Sequence, residues 1–289
     1  MAKLTLADLL DLAVHTALRA APTGAVSAFG AWAVSVRGAK AYPVADRRAA
    51  DNMRRLRPDW DEARIAEACR LRWDNIGRLM AEYAACDRLV REGRIEIRGA
   101  ERLAAAKADG KGIVLLGLHL GNWEAYTPAL ASLGIPMAAF HEPRPTLGRK
   151  IITDQVRRRM GAVTFEPDLY GVRQALQQLR AGGAIGLFGD ESVDGRVRGP
   201  FLGRGPRMDS NLRYAVQFAR TTGAPIVPGY VRRAEGCRFV LHVGEPVRLT
   251  PEARPGELLA RDVATLNAVV EPMILDNLDQ WYFLHDRIE

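Results

Sequence analysis

The segment Gly112-Ile113-Val114-Leu115-Leu116-Gly117-Leu118 is a short unbroken apolar run bounded by glycines. A strand with one wet face alternates apolar and polar residues, so an unbroken run reads as a strand covered on both faces. Similar runs occur at 135–140, 184–188, 225–231 and 239–243, separated by helical stretches near 147–160, 172–181 and 210–222. The alternation predicts an α/β fold, with a mostly parallel central sheet flanked by helices on both faces. Ahead of it, Leu4, Leu6, Leu9, Leu10, Ala13, Ala17 and Leu18 recur at helical spacing, and 43–92 is a second helical region rich in Arg, Ala, Leu and Met. The expected organisation is a helical N-terminal extension over 1–100, membrane-docking in character, and an α/β core over 101–289. A helix near 262–279 closes the core.

Composition narrows the partners. The 41 Lys and Arg against 34 Asp and Glu leave a net charge of +7, which favours acidic partners such as anionic headgroups, phosphorylated substrates, acidic carrier proteins or nucleic acid. The Arg clusters lack the interleaved aromatics that single-strand binding uses for stacking, which argues against nucleic acid. Cys69, Cys86 and Cys237 are widely spaced and form no C-x-x-C, so neither a disulfide framework nor a metal site is implied. Asp8 and Asp11 interrupt what would be the apolar core of a signal peptide. The longest uncharged stretch, 20–36, contains Pro22 and Gly24 and falls short of the ~20 apolar residues of a spanning helix. It reads as interfacial or core.

The chemistry concentrates where the first buried strand gives way to a helix, at His119-Leu120-Gly121-Asn122-Trp123-Glu124. Within one regular helix a spacing of five would set His119 and Glu124 roughly 140° apart. Across a strand–turn–helix junction the carboxylate can reach an imidazole nitrogen, fix its tautomer and stabilise the imidazolium. The other nitrogen is then available as a base. Backbone N–H groups near Gly121 and Asn122 are candidates for stabilising an oxyanion. The carboxyl end of a buried strand is also where open α/β sheets place their sites.

The hexapeptide resembles the H-x-G-N-W-E/D form of the H-x4-D/E acyltransferase motif. The family it resembles is the late acyltransferases of lipid A biosynthesis, with the related phosphatidylinositol mannoside acyltransferases. Other elements follow in that family's order: Arg48, Asn52 and Pro58 in 47–60, His141-Glu142-Pro143-Arg144-Pro145, Gly189-Asp190-Glu191, and Gly199-Pro200-Phe201-Leu202-Gly203-Arg204. Weaker echoes are Gly223–Pro228 with Arg232-Arg233, and Gln280-Trp281 with Arg287. The resemblance implies an acyl-carrier-protein or coenzyme A thioester as donor, a lipid or glycolipid hydroxyl as acceptor, direct attack without an acyl-enzyme, and no cofactor. It also implies residence at the cytoplasmic face of the bacterial inner membrane, by peripheral contact with an anionic surface. His119 and Glu124 are the expected catalytic pair. Asn122, Arg144, Asp190, Glu191, Arg196, Arg198 and Arg204 are the expected substrate-binding residues, with the last three crowding a Gly-rich loop. The absence of G-x-S-x-G, Walker A and strand-linked G-x-G-x-x-G patterns is consistent with that mechanism. A glycerolipid acyltransferase is the alternative with the same chemistry, although its N-H-x-S-x-x-D and F-P-E-G-T-R elements are missing; a non-catalytic membrane-binding protein is the alternative from another class.

Overall fold

The computed structural model describes residues 4–35, 38–140 and 145–288. Nine strands are found among them: β1 (Ile95–Arg98), β2 (Ile113–Gly117), β3 (Met137–Phe140), β4 (Val163–Phe165), β5 (Ala184–Phe188), β6 (Glu191–Val193), β7 (Arg196–Gly199), β8 (Ile226–Arg233) and β9 (Phe239–Val243). Seven form one sheet in the order β1-β9-β8-β2-β5-β3-β4, while β6 and β7 pair as a separate hairpin. Every pairing in the large sheet is parallel except β8 with β9. The mostly parallel α/β architecture expected from the buried runs is present.

The central strand β2 explains the two-sided core. Successive side chains point to opposite faces. Val114 and Leu116 enter one apolar cluster with Leu179, Leu212, Val216, Val263, Leu266 and Val270, from the helices Leu169–Arg180, Asn211–Thr222 and Leu259–Leu275. Ile113 and Leu115 enter the other, with Leu103 and Leu130 from the helices Ala100–Ala108 and Tyr126–Ser132. All five β2 residues are buried.

Three features depart from the sequence reading. The sheet begins inside the segment read as helical, because β1 pairs in parallel with β9. Arg196 and Arg198, expected in a loop, lie in β7 of the small hairpin. The helix expected over 262–279 runs Leu259–Leu275 and is followed by a 3-10 turn at Leu278–Gln280.

The N-terminal helices pack in two different ways. Thr23–Ser35 and Glu62–Glu82 approach so closely at Gly30 and Gly77 that a Cβ on either glycine would strike the other's carbonyl. Thirteen residues span about 20 Å against the ~30 Å of a bilayer core. No helix among the described residues is long and apolar enough to cross a membrane.

Leu6–Ala20 is turned inside out. It buries Asp8 and His15, while Leu6, Leu9, Leu10 and Val14 are exposed at 75%, 50%, 58% and 55%. Asp8 holds this orientation. Its carboxylate completes a capping box with Thr5 and also accepts the N–H of Gly148 at 2.7 Å, in the first turn of the helix Leu147–Met160. The Arg19–Asp87 ion pair ties down the far end.

Candidate active site

Parallel register between β2 and β5 assembles the site. Gly117 pairs with Phe188, and the ladder continues one step further through Gly189 N–H to Gly117 O at 2.8 Å. Two residues beyond each strand, His119 and Asp190 therefore meet at the carboxyl end of the sheet. Asp190 is fully buried, and both its oxygens accept the backbone N–H of His119 at 2.9 Å. His119 Nδ1 lies 3.1 Å from both the backbone oxygen and Oδ1 of Asp190. Both of those atoms are acceptors, so Nδ1 carries the proton and Nε2 holds the lone pair in the neutral ring.

Aromatic rings surround the imidazole. Phe188 stacks on it at 4.2 Å between centroids, and Phe283 and Trp123 meet it edge-on at 4.9 and 5.1 Å. The side chain keeps 20% exposure, enough for one open approach. Trp281 lies beneath, fully buried, with its indole N–H on Asp190 Oδ2 at 2.9 Å.

The turn after His119 is held by backbone geometry. Gly121 has φ +55°, and a Cβ there would land on the Val231 carbonyl of β8, so the tight path excludes a side chain. Its N–H bonds Gln280 O at 3.2 Å, and Tyr282 N–H bonds His119 O at 3.0 Å. The Gly121 amide is thus engaged by Gln280, contrary to its expected place in an oxyanion site.

Several sequence expectations are corrected by this geometry. The carboxylate against the imidazole Nδ1 belongs to Asp190, where Glu124 was expected, because the parallel register delivers Asp190 to His119. Glu124 is the middle residue of the 3-10 turn Trp123–Ala125 and places its N–H on Asn122 Oδ1 at 3.2 Å. Asn122, expected at the substrate, is fully buried and also donates to Glu82 at 2.8 Å. Arg204 folds back to donate to the carbonyls of Phe201, Val197 and Pro200 at 2.7, 2.8 and 2.7 Å, so it braces its own loop. Arg144 lies outside the described residues.

Glu191 follows Asp190 directly and accepts the N–H of Asn211, at the start of a helix, at 2.5 Å. Burial, with a contribution from the charge of Asp190, pushes its carboxyl up to about 7. Arg198 pairs with Asp209 at 2.5 Å. Arg196 sits in the same hairpin, bridged through its backbone to Arg287. A surface cavity of about 670 Å³ is lined by Arg204, Gly205, Pro206, Arg207, Met208 and Asp209.

Sequence reasoning missed the C-terminal wall. The segment Gln280 to Phe283 supplies the indole on Asp190, the two backbone bonds and one ring against His119. The helix Pro43–Leu56 clamps the segment beyond it: Asn52 donates to Leu284 O and Asp286 O at 2.7 and 2.9 Å, Arg48 to His285 O at 3.3 Å, and Arg55 to Ile288 O at 2.7 Å. Arg48, Asn52 and the Gln280-Trp281 pair were visible as sequence elements, but their mutual contact was not.

His119 of the H-x4-E element meets the buried Asp190 at the carboxyl end of the central strand of a mostly parallel α/β sheet, and the class of the protein, O-acyltransferase, comes from its family. The chain belongs to the family described as bacterial lipid A biosynthesis acyltransferase, whose model matches residues 3–289. No curated protein matches the sequence. Among solved structures, the 1-acyl-sn-glycerophosphate (LPA) acyltransferase PlsC from Thermotoga maritima is similar at 16% identity and a TM-score of 0.38, covering 68% of this chain and 82% of that one. That likeness is too loose to carry an activity across.

Proposed function

We propose that this acyltransferase moves a fatty acyl group from an acyl-carrier-protein or coenzyme A thioester to a hydroxyl of a lipid A precursor or similar glycolipid, with His119 as the general base. The observation that carries this reading is the pair of acceptor atoms of Asp190 facing His119 Nδ1. With the proton held there, Nε2 takes the proton of the acceptor hydroxyl as its oxygen attacks the thioester carbonyl carbon. The buried Asp190 carboxylate offsets the imidazolium charge. Collapse of the tetrahedral intermediate breaks the carbon–sulfur bond, and the imidazolium returns the proton to the departing thiolate. Glu124, partly exposed in the 3-10 turn that follows His119, serves the acceptor or the developing charge. Arg196 and Arg198, in the hairpin that begins at Glu191, and the cavity around Arg207 are the candidates for holding an acidic headgroup, and Arg144 keeps its substrate-binding role from the sequence resemblance alone.

Membrane contact belongs to the same proposal. Leu6, Leu9, Leu10 and Val14 form an exposed apolar face, with Arg149 and Lys150 exposed on the neighbouring helix. An apolar face rimmed by cations suits an anionic lipid surface. Soluble acyl thioesters are cytoplasmic, so the expected place is the cytoplasmic face of the inner membrane.

The test is acyl transfer from radiolabelled carrier-protein and coenzyme A thioesters to a total lipid extract, comparing wild type with His119→Ala and Glu124→Ala and identifying products by mass. A labelled glycolipid made by wild type and lost in both folded variants supports the mechanism. An unchanged rate in folded His119→Ala overturns the base assignment.

A further inference from the structure

Glu82 lies at the carboxyl end of the helix Glu62–Glu82, outside every motif singled out in the sequence, and it is fully buried. Its carboxylate accepts from three directions: Ser27 Oγ at 2.6 Å, Asn122 Nδ2 at 2.8 Å, and the Arg233 guanidinium at 2.6 and 2.8 Å. Arg233 is itself buried at the end of β8 and places its Nε on Asn75 Oδ1 at 2.9 Å. Asn75, two turns before Glu82 on the same helix, donates to Gly121 O at 3.1 Å. One helix face thus grips the His119–Glu124 turn at two successive residues, and Arg233 locks the two gripping side chains together.

A buried ion pair is costly to desolvate and is often no more stabilising than apolar residues of the same volume. What such a pair supplies is directional bonds, and here they end on the turn. Asn122 relays the hold, because the residue whose amide is fixed by Glu82 accepts the N–H of Glu124 on its own oxygen. A displacement of about 1 Å in a reacting group costs on the order of a hundredfold in rate.

We infer that Glu82 and Arg233 are positioning residues for acyl transfer, setting the placement of Glu124 relative to His119 through Asn122 and Gly121. The inference rests on the acyl-transfer reading of those two residues.

The experiment compares Ser27→Ala, Glu82→Gln and Arg233→Lys with wild type. It measures kcat, donor KM, urea stability and amide exchange over 119–126. Glu82→Gln keeps the side-chain volume but turns an amide donor toward donors that need an acceptor. Its kcat is expected to fall on the order of a hundredfold with KM within about threefold, and exchange at 121–125 to speed up at least about tenfold. Arg233→Lys, which keeps the charge and loses the fork, is expected to show a smaller loss of the same kind. Ser27→Ala removes a bond to Glu82 Oε1 and leaves Oε2, the oxygen that holds Asn122, so it is expected to lower stability and leave kcat and the turn's exchange unchanged. A folded Glu82→Gln or Arg233→Lys protein with kcat within about twofold of wild type overturns the inference, as does a loss in Ser27→Ala equal to theirs. Should wild type make no product from any donor, the acyl-transfer reading falls by itself. Exchange then decides the grip, and unchanged protection over 121–125 in both variants overturns it.

Discussion

Trp281 and His119 bond the same carboxylate: the indole N–H reaches Asp190 Oδ2 at 2.9 Å, and the His119 backbone N–H reaches both oxygens at 2.9 Å. The proposed base is thus oriented by an acid that is itself fixed from below. Trp281→Phe keeps an aromatic side chain but deletes one donor to a buried charge and leaves a small void where the larger indole was fully buried. The expected cost is about 1–3 kcal/mol in urea unfolding and about tenfold in kcat. Equal rates for wild type and variant would show that the indole bond has no bearing on the base.

Asp190→Asn and Glu124→Gln separate the two acids. An asparagine at 190 directs an N–H2 at donors that now find an acceptor, and it leaves the imidazolium uncompensated. The expected loss in kcat is at least about a hundredfold, with a stability loss of about 2 kcal/mol. Glu124→Gln keeps its side-chain volume and its backbone bond to Asn122, and it is expected to lower kcat with a smaller stability loss than Asp190→Asn, whose carboxylate is fully buried. Steady-state rates and urea curves on both variants check the pair; a stable, fully active Asp190→Asn protein would return the orienting role to Glu124.

Glu191 gives a pH dependence with a definite sign. Its folded carboxyl titrates near 7, above the ordinary 4.5, so the folded state prefers it protonated. The contribution to stability is present below about 4.5, falls as pH rises toward about 7, and is constant above. Glu191→Gln removes this slope, so it is expected to gain on the order of 2 kcal/mol relative to wild type between pH 4.5 and pH 8. Urea midpoints at the two pH values measure it. Parallel curves for the two proteins would contradict the buried-acid assignment.

Leu6→Ser, Leu10→Ser and Val14→Ser together test the outward face of the first helix. Exposed positions away from packing cost within about 0.5 kcal/mol each in stability. Removing three side chains from a lipid contact is expected to cost at least about 3 kcal/mol of binding, a loss of over a hundredfold. Co-sedimentation with anionic and zwitterionic vesicles reads this out. Undiminished vesicle binding in the triple variant would assign the contact to another surface, and a wild-type dimer abolished by the variant would assign the face to a second copy of the chain.

The apolar runs located β5 and β9 to the residue, and the H-x4-E segment marked the turn that carries His119. β1 escaped because Ile95-Glu96-Ile97-Arg98 alternates with charge at the sheet edge, a pattern that an Arg-rich helical region masks. The β6–β7 hairpin was announced by Asp194-Gly195, a strong hairpin turn signal, but the basic residues that follow it made the stretch read as loop. The first helix was legible as amphipathic and illegible in direction. Periodicity gives a stripe without saying which way it faces, and only the long-range bond from Asp8 to Gly148 decides that. For the same reason the partner of His119 was misassigned. Register between β2 and β5 brings in Asp190 from 71 residues away, whereas sequence proximity favoured Glu124.

The clamp on 284–288 joins distant parts of the chain. The indole beneath Asp190 and one ring beside His119 come from Trp281 and Phe283, and the residues just after them are held by the helix Pro43–Leu56. A change in that helix can therefore reach the imidazole without touching it, through a wall whose nearest bond to Asn52 spans 232 positions of sequence.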